Sequence, residues 1–135
     1  MPPAEPPFVD DDTISNDDVI YRRIPERQVT PDPNSKHGIR PSTGAFSDSS
    51  DGPLSVTLKS LCTVAPESLI AHMPKAGVAA VSVGLLRSLG QMIVRDPTPD
   101  DPAHVLIVGK KGKTFEKTVA RTADWAVLPP PRDPE

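Results

Sequence analysis

The sequence has few cysteine and aromatic residues, which often stabilise small folds, and it has no apolar run long enough for a membrane-spanning helix. Its single cysteine, Cys62, has no partner for an internal disulfide, which fits a reducing compartment. Aromatic residues make up only 4% of the 135 positions. The longest apolar run, around Gly77–Leu86, is far shorter than the roughly 20 residues of a spanning helix. We therefore expect a soluble cytoplasmic protein with no membrane or disulfide partner.

Motifs for metal binding and catalysis are also missing. No pair drawn from the three histidines and Cys62 has the spacing of about two to five residues that zinc ligands usually show. The serine-rich loop has no GxSxG nucleophile motif, and "GKKGK" at 109–113 has too few residues between its glycines for a P-loop. We predict no catalytic residue, no metal and no cofactor. Enzymatic activity stays open, and we favour a protein that is not an enzyme.

The sequence is rich in proline, and its charges are unevenly distributed along the chain. It contains 18 prolines, and residues 1–18 carry six acids and no base, which leaves a net charge of +3 on residues 19–135. A segment of proline and acid cannot bury enough apolar surface to offset the entropy of ordering. We expect a disordered tail at 1–18, one domain at 19–128 and a proline-rich, flexible tail at 129–135.

Hydrophobic patterning between the tails predicts strands and short helices. Strands are predicted in "VIYRRI", "LSVTL", "GVAAVSV", "QMIVRD", "AHVLIVG" and the closing "AVL". Helices are predicted in "TVAPESLIAHM", "GLLRSLG" and "KTFEKTVARTADW". The fold class is therefore α+β or α/β, a small single domain with a five- to six-stranded sheet and two or three short helices. Its core should include Val81, Ile93, Val105, Ile107 and Val119.

Residues Arg40–Gly52 are interpreted as a recognition loop, within a long proline- and serine-rich passage that runs from Pro25 to Pro53. Loops of this length in compact domains are mostly functional or disordered. Within it, Phe46 either plugs the loop onto the core or meets a partner, and we favour the plug. The binding groups held outward would then be Arg40, Ser42 and Asp48. The competing interpretation is a connector held by local side-chain to backbone bonds.

Three further groups are candidates for binding an anion. Lys110 and Lys111 lie where a strand ends and a helix begins, a place that attracts anions, although a solvated lysine turn is the commoner outcome. His104 heads a buried strand within reach of acidic turn residues, or else simply bonds a turn carbonyl. Arg23 is one of four arginines that could bind an anionic ligand together. The others are Arg22, Arg40 and Arg95. They converge only if their strands are neighbours, and the alternative is that they are exposed strand residues.

Several segments resemble a group of small uncharacterised bacterial proteins, which offers no activity to transfer. These segments are "IYRRI", "RPSTGAFSDSSDGPLSV", the stretch from "GVAAVSV" to "GKKGK", and "WAVLPP". The chain also faintly resembles ADP-ribosyltransferase-type domains. That resemblance implies an early-strand arginine, Arg22 or Arg23, and a serine, Ser42. The late strand carries no glutamate for the third role, since Glu116 lies in the helix that follows.

Two functions remain open from the sequence. The first is a small bacterial interaction protein, an accessory or regulatory subunit that binds a protein partner. The second is a nucleotide- or anion-binding domain related to ADP-ribosyltransferases. Tails of proline and acid favour the first, and so does the lack of a complete catalytic constellation. We expect no nucleic-acid partner.

Overall fold

The computed structural model describes residues 8–50 and 52–130. It has two α-helices and eight strands in an α+β arrangement. The strands are β1 Val19–Ile24, β2 Val29–Pro31, β3 Ile39–Pro41, β4 Leu54–Leu58, β5 Gly77–Ser82, β6 Met92–Arg95, β7 His104–Val108 and β8 Asp124–Val127. The helices are α1 Val83–Ser88 and α2 Lys113–Thr122. Short 3₁₀ turns lie at Glu26–Gln28, Thr43–Phe46, Lys59–Leu61 and Pro66–Ile70.

Six strands form one antiparallel sheet in the order β6-β7-β4-β1-β5-β8, and β2 and β3 form a separate hairpin. The prediction of a small α+β domain with a sheet of up to six strands and two helices is confirmed. β8 is at an edge, as "AVL" suggested. Because side chains alternate along a strand, Arg22 lies on one face of the sheet and Arg23 on the other.

The hydrophobic core lies on the face that carries Ile20, Val56, Val81 and Val105, and α2 closes it through Phe115 and Val119. All five predicted core residues are buried: Val81, Ile93, Val105, Ile107 and Val119. The plug interpretation of Phe46 is confirmed as well, because its side chain is only 1% exposed and belongs to the same cluster. We call this side of the sheet the covered face.

The region between Pro25 and Pro53 has more structure than the sequence suggested. The hairpin β2–β3 and the 3₁₀ turn at Thr43–Phe46 occupy it, and the Trp125 indole N–H donates to the Ile39 carbonyl at 3.3 Å. Trp125 itself belongs to β8 and not to the preceding helix. Three-residue strands escaped prediction because prolines interrupt every period-two pattern in this region.

The predicted helix in "TVAPESLIAHM" is not formed. The structure has a 3₁₀ turn at Pro66–Ile70, none of whose residues is buried. Most of the stability of a short helix comes from packing an apolar face, and this segment packs none fully. Pro74 and Gly77 follow too soon for the helix to lengthen.

The N-terminal segment differs from the predicted tail. Arg87 of α1 donates to the Ile14 carbonyl at 2.7 Å and the Asp11 carbonyl at 2.8 Å, and its Nε bonds the Asp10 carboxylate at 3.1 Å. Asp11 N–H also bonds the Ile93 carbonyl at 2.8 Å, and Ile14 is buried. Long-range bonds thus order 10–18, which local composition does not reveal. Residues 1–7, and 131–135 of the predicted C-terminal tail, lie outside the described residues.

Candidate functional site

The second face of the sheet, which we call the open face, carries polar side chains from three adjacent strands. Tyr21 of β1 pairs with Thr57 of β4, and Thr57 pairs with His104 of β7. Arg23 lies two residues after Tyr21 in β1, and Ser55 lies two residues before Thr57 in β4, so alternation places both on the same face. The antiparallel register therefore unites Arg23 and His104, two of the predicted binding residues.

Two adjoining cavities lie over this face. The first, about 180 Å³, is lined by Arg23, Thr57, His104 and Asp101 among others. The second, about 350 Å³, shares Arg23, Thr57 and Asp101 with the first. Its remaining walls are largely apolar and come from the segment that follows β4 and from the turn before β7: Leu61, Cys62, Thr63, Val64, Leu69, Asp100, Pro102 and Ala103. We call the two together the paired cavities.

His104 is held in one orientation by Asp96. Its Nδ1 lies 2.9 Å from the Asp96 carbonyl oxygen and 3.0 Å from a carboxylate oxygen of the same residue. Both of these oxygens are acceptors, so Nδ1 carries the proton and Nε2 is the nitrogen available to a ligand. His104 therefore bonds a turn carbonyl and also lines a cavity, and its part in binding stays a prediction.

The neighbours of Arg23 on β1 are strongly desolvated. Burial, then the Cys62 and Glu67 charges, raise the pKa of the Tyr21 phenol above its ordinary value. Burial, followed by the charge of Arg23, lowers the pKa of Arg22. Arg22 also donates to the carbonyls of Ala45 and Ser55, both at 3.0 Å. Arg22 therefore stabilises the covered face through these two bonds, and Arg23 is the arginine available to a ligand.

Lys111 and Asp48 have a different role from the predicted one. Lys111 Nζ lies 2.8 Å from Asp48 Oδ1 and donates to the carbonyls of Ile107 at 2.7 Å and Gly109 at 3.2 Å. The other bond of the Asp48 carboxylate, from Leu54 N–H, is 3.0 Å long. Three oxygen acceptors already surround this ammonium, so it is not available to an outside anion.

Lys110, the neighbouring lysine, is exposed. Its carbonyl accepts a 3.0 Å bond from Gln91 Nε2, which fixes the turn. Gly109 has φ +154°, and a Cβ there would lie 2.8 Å from Gln91 Oε1. Only glycine suits this position, because any side chain would clash with a buried amide. The "GKKGK" turn is thus a packed corner with Lys110 and Lys113 at its surface.

Arg40 and Ser42 lie in the hairpin region, away from the open face. Arg40 Nε pairs with Asp32 at 3.1 Å, and its guanidinium also bonds the Pro41 carbonyl. Ser42 N–H bonds the Gln28 carbonyl at 2.7 Å. Ser42 lines neither of the cavities that Arg23 lines. Arg22, the other arginine that the ADP-ribosyltransferase likeness implies, donates to the carbonyl of Ala45, three residues from Ser42, and the likeness stays a prediction. Glu116 instead accepts a hydrogen bond from the Ser47 hydroxyl.

A pair of grooves beside the hairpin escaped the sequence analysis. An apolar groove of about 410 Å³ is lined by Val29, Pro31, His37, Ile39, Leu128, Pro129 and Pro130. It adjoins a polar groove of about 220 Å³, which shares His37 and Ile39 and is otherwise lined by Asn34, Ser35, Lys36, Arg40 and residues 121–125. We call these the edge grooves, because the polar one borders β8. The run of prolines after "WAVL" was the only signal in the sequence.

Neither a membrane-spanning helix nor a metal-binding cluster is found among the described residues. No helix in 8–50 and 52–130 has both the length and the apolar character to cross a membrane. Within the same ranges, no group of three or more histidine, cysteine or acidic side chains is placed to hold a metal ion.

Comparison with protein-family models, with curated proteins and with solved structures gave no match to this chain.

Proposed function

We propose that the protein is an accessory or regulatory subunit that binds an extended, acidic segment of a protein partner in the edge grooves. The observation that supports this most strongly is the junction of an apolar groove of about 410 Å³ with a second groove that carries cations, beside an edge strand. An edge strand leaves alternate backbone N–H and C=O groups without a strand neighbour, and extended peptides commonly bind along such edges.

The charge around the grooves favours an acidic partner. Lys36 and Arg121 line the polar groove, and neither forms an ion pair with another described residue. Arg40 in the same groove is paired with Asp32, and among the described residues Asp124 is the only acid that lines it. Cations without partners attract acidic segments and speed their encounter with the protein.

The apolar groove supplies the anchor for such a segment. Leu128 is 47% exposed, one of the few large apolar side chains left at the surface of the described chain. Together with Val29 and Ile39 it forms a concave wall that an apolar side chain of the partner would fill. An apolar anchor flanked by acids is therefore the sequence type we expect in the partner.

Selection from a displayed library of random peptides tests the proposal. We expect the selected peptides to be enriched in aspartate or glutamate next to one apolar residue. A fluorescent copy of a selected peptide should bind the Lys36→Glu/Arg121→Glu variant about tenfold more weakly than the wild type, because each exposed ion pair is worth about 0.2–1 kcal/mol and each charge reversal adds a repulsion of similar size.

The matched control is Lys59→Glu/Lys75→Glu, which changes the net charge equally at exposed lysines that line neither groove. This variant should keep wild-type affinity. The proposal fails if no acidic peptide is selected, or if both double variants weaken binding equally. It also fails if the edge grooves mediate self-association, seen by sedimentation as a dimer that only the Lys36→Glu/Arg121→Glu variant loses.

A further inference from the structure

We infer that the paired cavities on the open face bind a small zwitterion with an apolar body, such as an aliphatic amino acid. This site is separate from the edge grooves and uses none of their residues. The inference rests on three features of the cavities: a cation, carboxylates and an apolar wall.

The opposite charges of the site are held apart. Arg23 and Asp101 both line each of the two cavities, yet no ion pair within 4.0 Å joins them. Arg23 forms no ion pair with any described residue. One Asp101 oxygen accepts the Ala103 N–H at 3.1 Å. A ligand with its own carboxylate and ammonium would complete both pairs at once.

The carboxylates argue against a ligand that is only an anion. Asp100 and Asp101 both line the larger cavity, where they would repel a phosphate or a second carboxylate brought close to Arg23. A nucleotide carries several negative phosphate charges, which these two carboxylates would repel. An ammonium group on the ligand would be attracted by the same carboxylates, and this attraction would offset their repulsion of the ligand's own carboxylate.

The apolar wall accounts for the body of the ligand. Leu61, Val64 and Leu69 line the larger cavity, and Val64 is 51% exposed although it is a large apolar side chain. The volume of about 350 Å³ lies within the range of about 300–1,000 Å³ common for small-molecule sites. The smaller cavity adds His104 and Thr57 as polar residues beside the ligand's charged end.

Calorimetric titration with matched probes tests the inference. The zwitterionic probes are L-leucine, L-valine and L-methionine. Two fragments of leucine serve as comparisons: 4-methylpentanoate lacks the ammonium, and 3-methylbutylamine lacks the carboxylate. We expect saturable binding of at least one amino acid. Each leucine fragment should bind at least about tenfold more weakly than leucine, since it leaves either Arg23 or Asp101 without a charge partner in the complex.

Substitutions then locate the site. Arg23→Gln and Asp101→Asn should each weaken amino-acid binding at least about tenfold, and asparagine keeps the acceptor for Ala103 N–H. Arg27→Gln and Asp17→Asn are the controls, because both residues are exposed and line neither cavity. They should bind as the wild type does. Circular dichroism of each unliganded variant verifies that the fold is kept.

Three outcomes would overturn the inference. The first is the absence of saturable binding for all three amino acids. The second is equal affinity for L-leucine and 4-methylpentanoate, which would identify a simple anion site. The third is binding that the Arg23 and Asp101 variants leave unchanged. The Lys36→Glu/Arg121→Glu variant should bind the amino acid normally, so this test fails or succeeds independently of the proposed partner.

Discussion

Lys111 Nζ lies 2.8 Å from Asp48 Oδ1 although only 3% of the Lys111 side chain is exposed. The pair ties the segment that follows Phe46 to the turn between β7 and α2. A buried ammonium is stable only when its donors are all matched, and here two carbonyls complete the set. The contact holds the loop against the core, which explains why a serine-rich segment keeps one position.

Replacing this lysine should lower the stability of the free protein. Lys111→Met keeps the apolar stem but leaves Asp48 and two carbonyls without their donor, so we expect the free energy of unfolding to fall by about 1–3 kcal/mol. Urea denaturation measures the change. Lys110→Met, at the exposed neighbour, should stay within about 0.5 kcal/mol of the wild type. Equal losses in the two variants would refute the assignment.

Phe46→Ala should be among the most damaging single changes in the chain. The side chain is 1% exposed and fills the space between the loop and the sheet, so its removal leaves a cavity. We expect a loss of about 3–5 kcal/mol, read from thermal or urea unfolding. Val9→Ala is the control, since Val9 is 69% exposed and should change stability by less than about 0.5 kcal/mol. A small loss for Phe46→Ala would mean that the loop does not depend on this plug.

Arg87→Gln should release the segment from Asp10 to Asn16. The guanidinium holds two carbonyls and two side chains of that segment, and glutamine cannot reach them all. We expect faster hydrogen exchange at the Asp11 amide, which bonds the Ile93 carbonyl, and a stability loss of about 1–3 kcal/mol.

Arg27→Gln, at an exposed arginine, serves as the control for this experiment. It should leave the Asp11 amide as protected as in the wild type. Deleting residues 1–9 should cost little, whereas deleting 1–18 should cost at least as much as Arg87→Gln. The same exchange rate in the wild type and the Arg87 variant would show that the segment is not held by this contact.

Tyr21 is the only tyrosine, so phenolate absorbance reports its ionisation directly. Its pKa is raised, first by burial, so the midpoint should lie above the ordinary value of about 10. The folded state holds this proton more tightly than the unfolded state. The stability it contributes is therefore complete below about pH 10 and is lost as pH rises through the folded pKa.

Glu67→Gln should lower the Tyr21 midpoint, because the Glu67 charge is one of the causes that raise it. Asp12→Asn should leave the midpoint unchanged, because Asp12 follows Asp11, which bonds β6, and β6 lies three strands from β1. Tyr21→Phe should lessen the decline of stability at alkaline pH. A Tyr21 midpoint equal to that of the unfolded chain would refute the burial of this phenol.

Local patterns in the sequence determined most of the sheet. The alternation in "LSVTL" and the β-branched run "HVLIV" predicted β4 and β7, since side-chain period and branching act within one strand. The same reasoning placed Val105 and Ile107 in the core, where they are fully buried. Prediction failed at "PESLI", because the helix propensity there has no tertiary face to support it.

Only the tertiary structure decided what the polar residues do. Lys110 and Lys111 are identical neighbours in the sequence, yet one is exposed and the other is enclosed by oxygen acceptors that include Asp48. Arg23 and His104 line the same cavity because β4 pairs with both of their strands. The register of these pairings depends on contacts across the whole sheet. The sequence determines which charged residues the chain contains. Burial and partners far along the chain determine whether each charge is paired inside the fold or is available to a ligand.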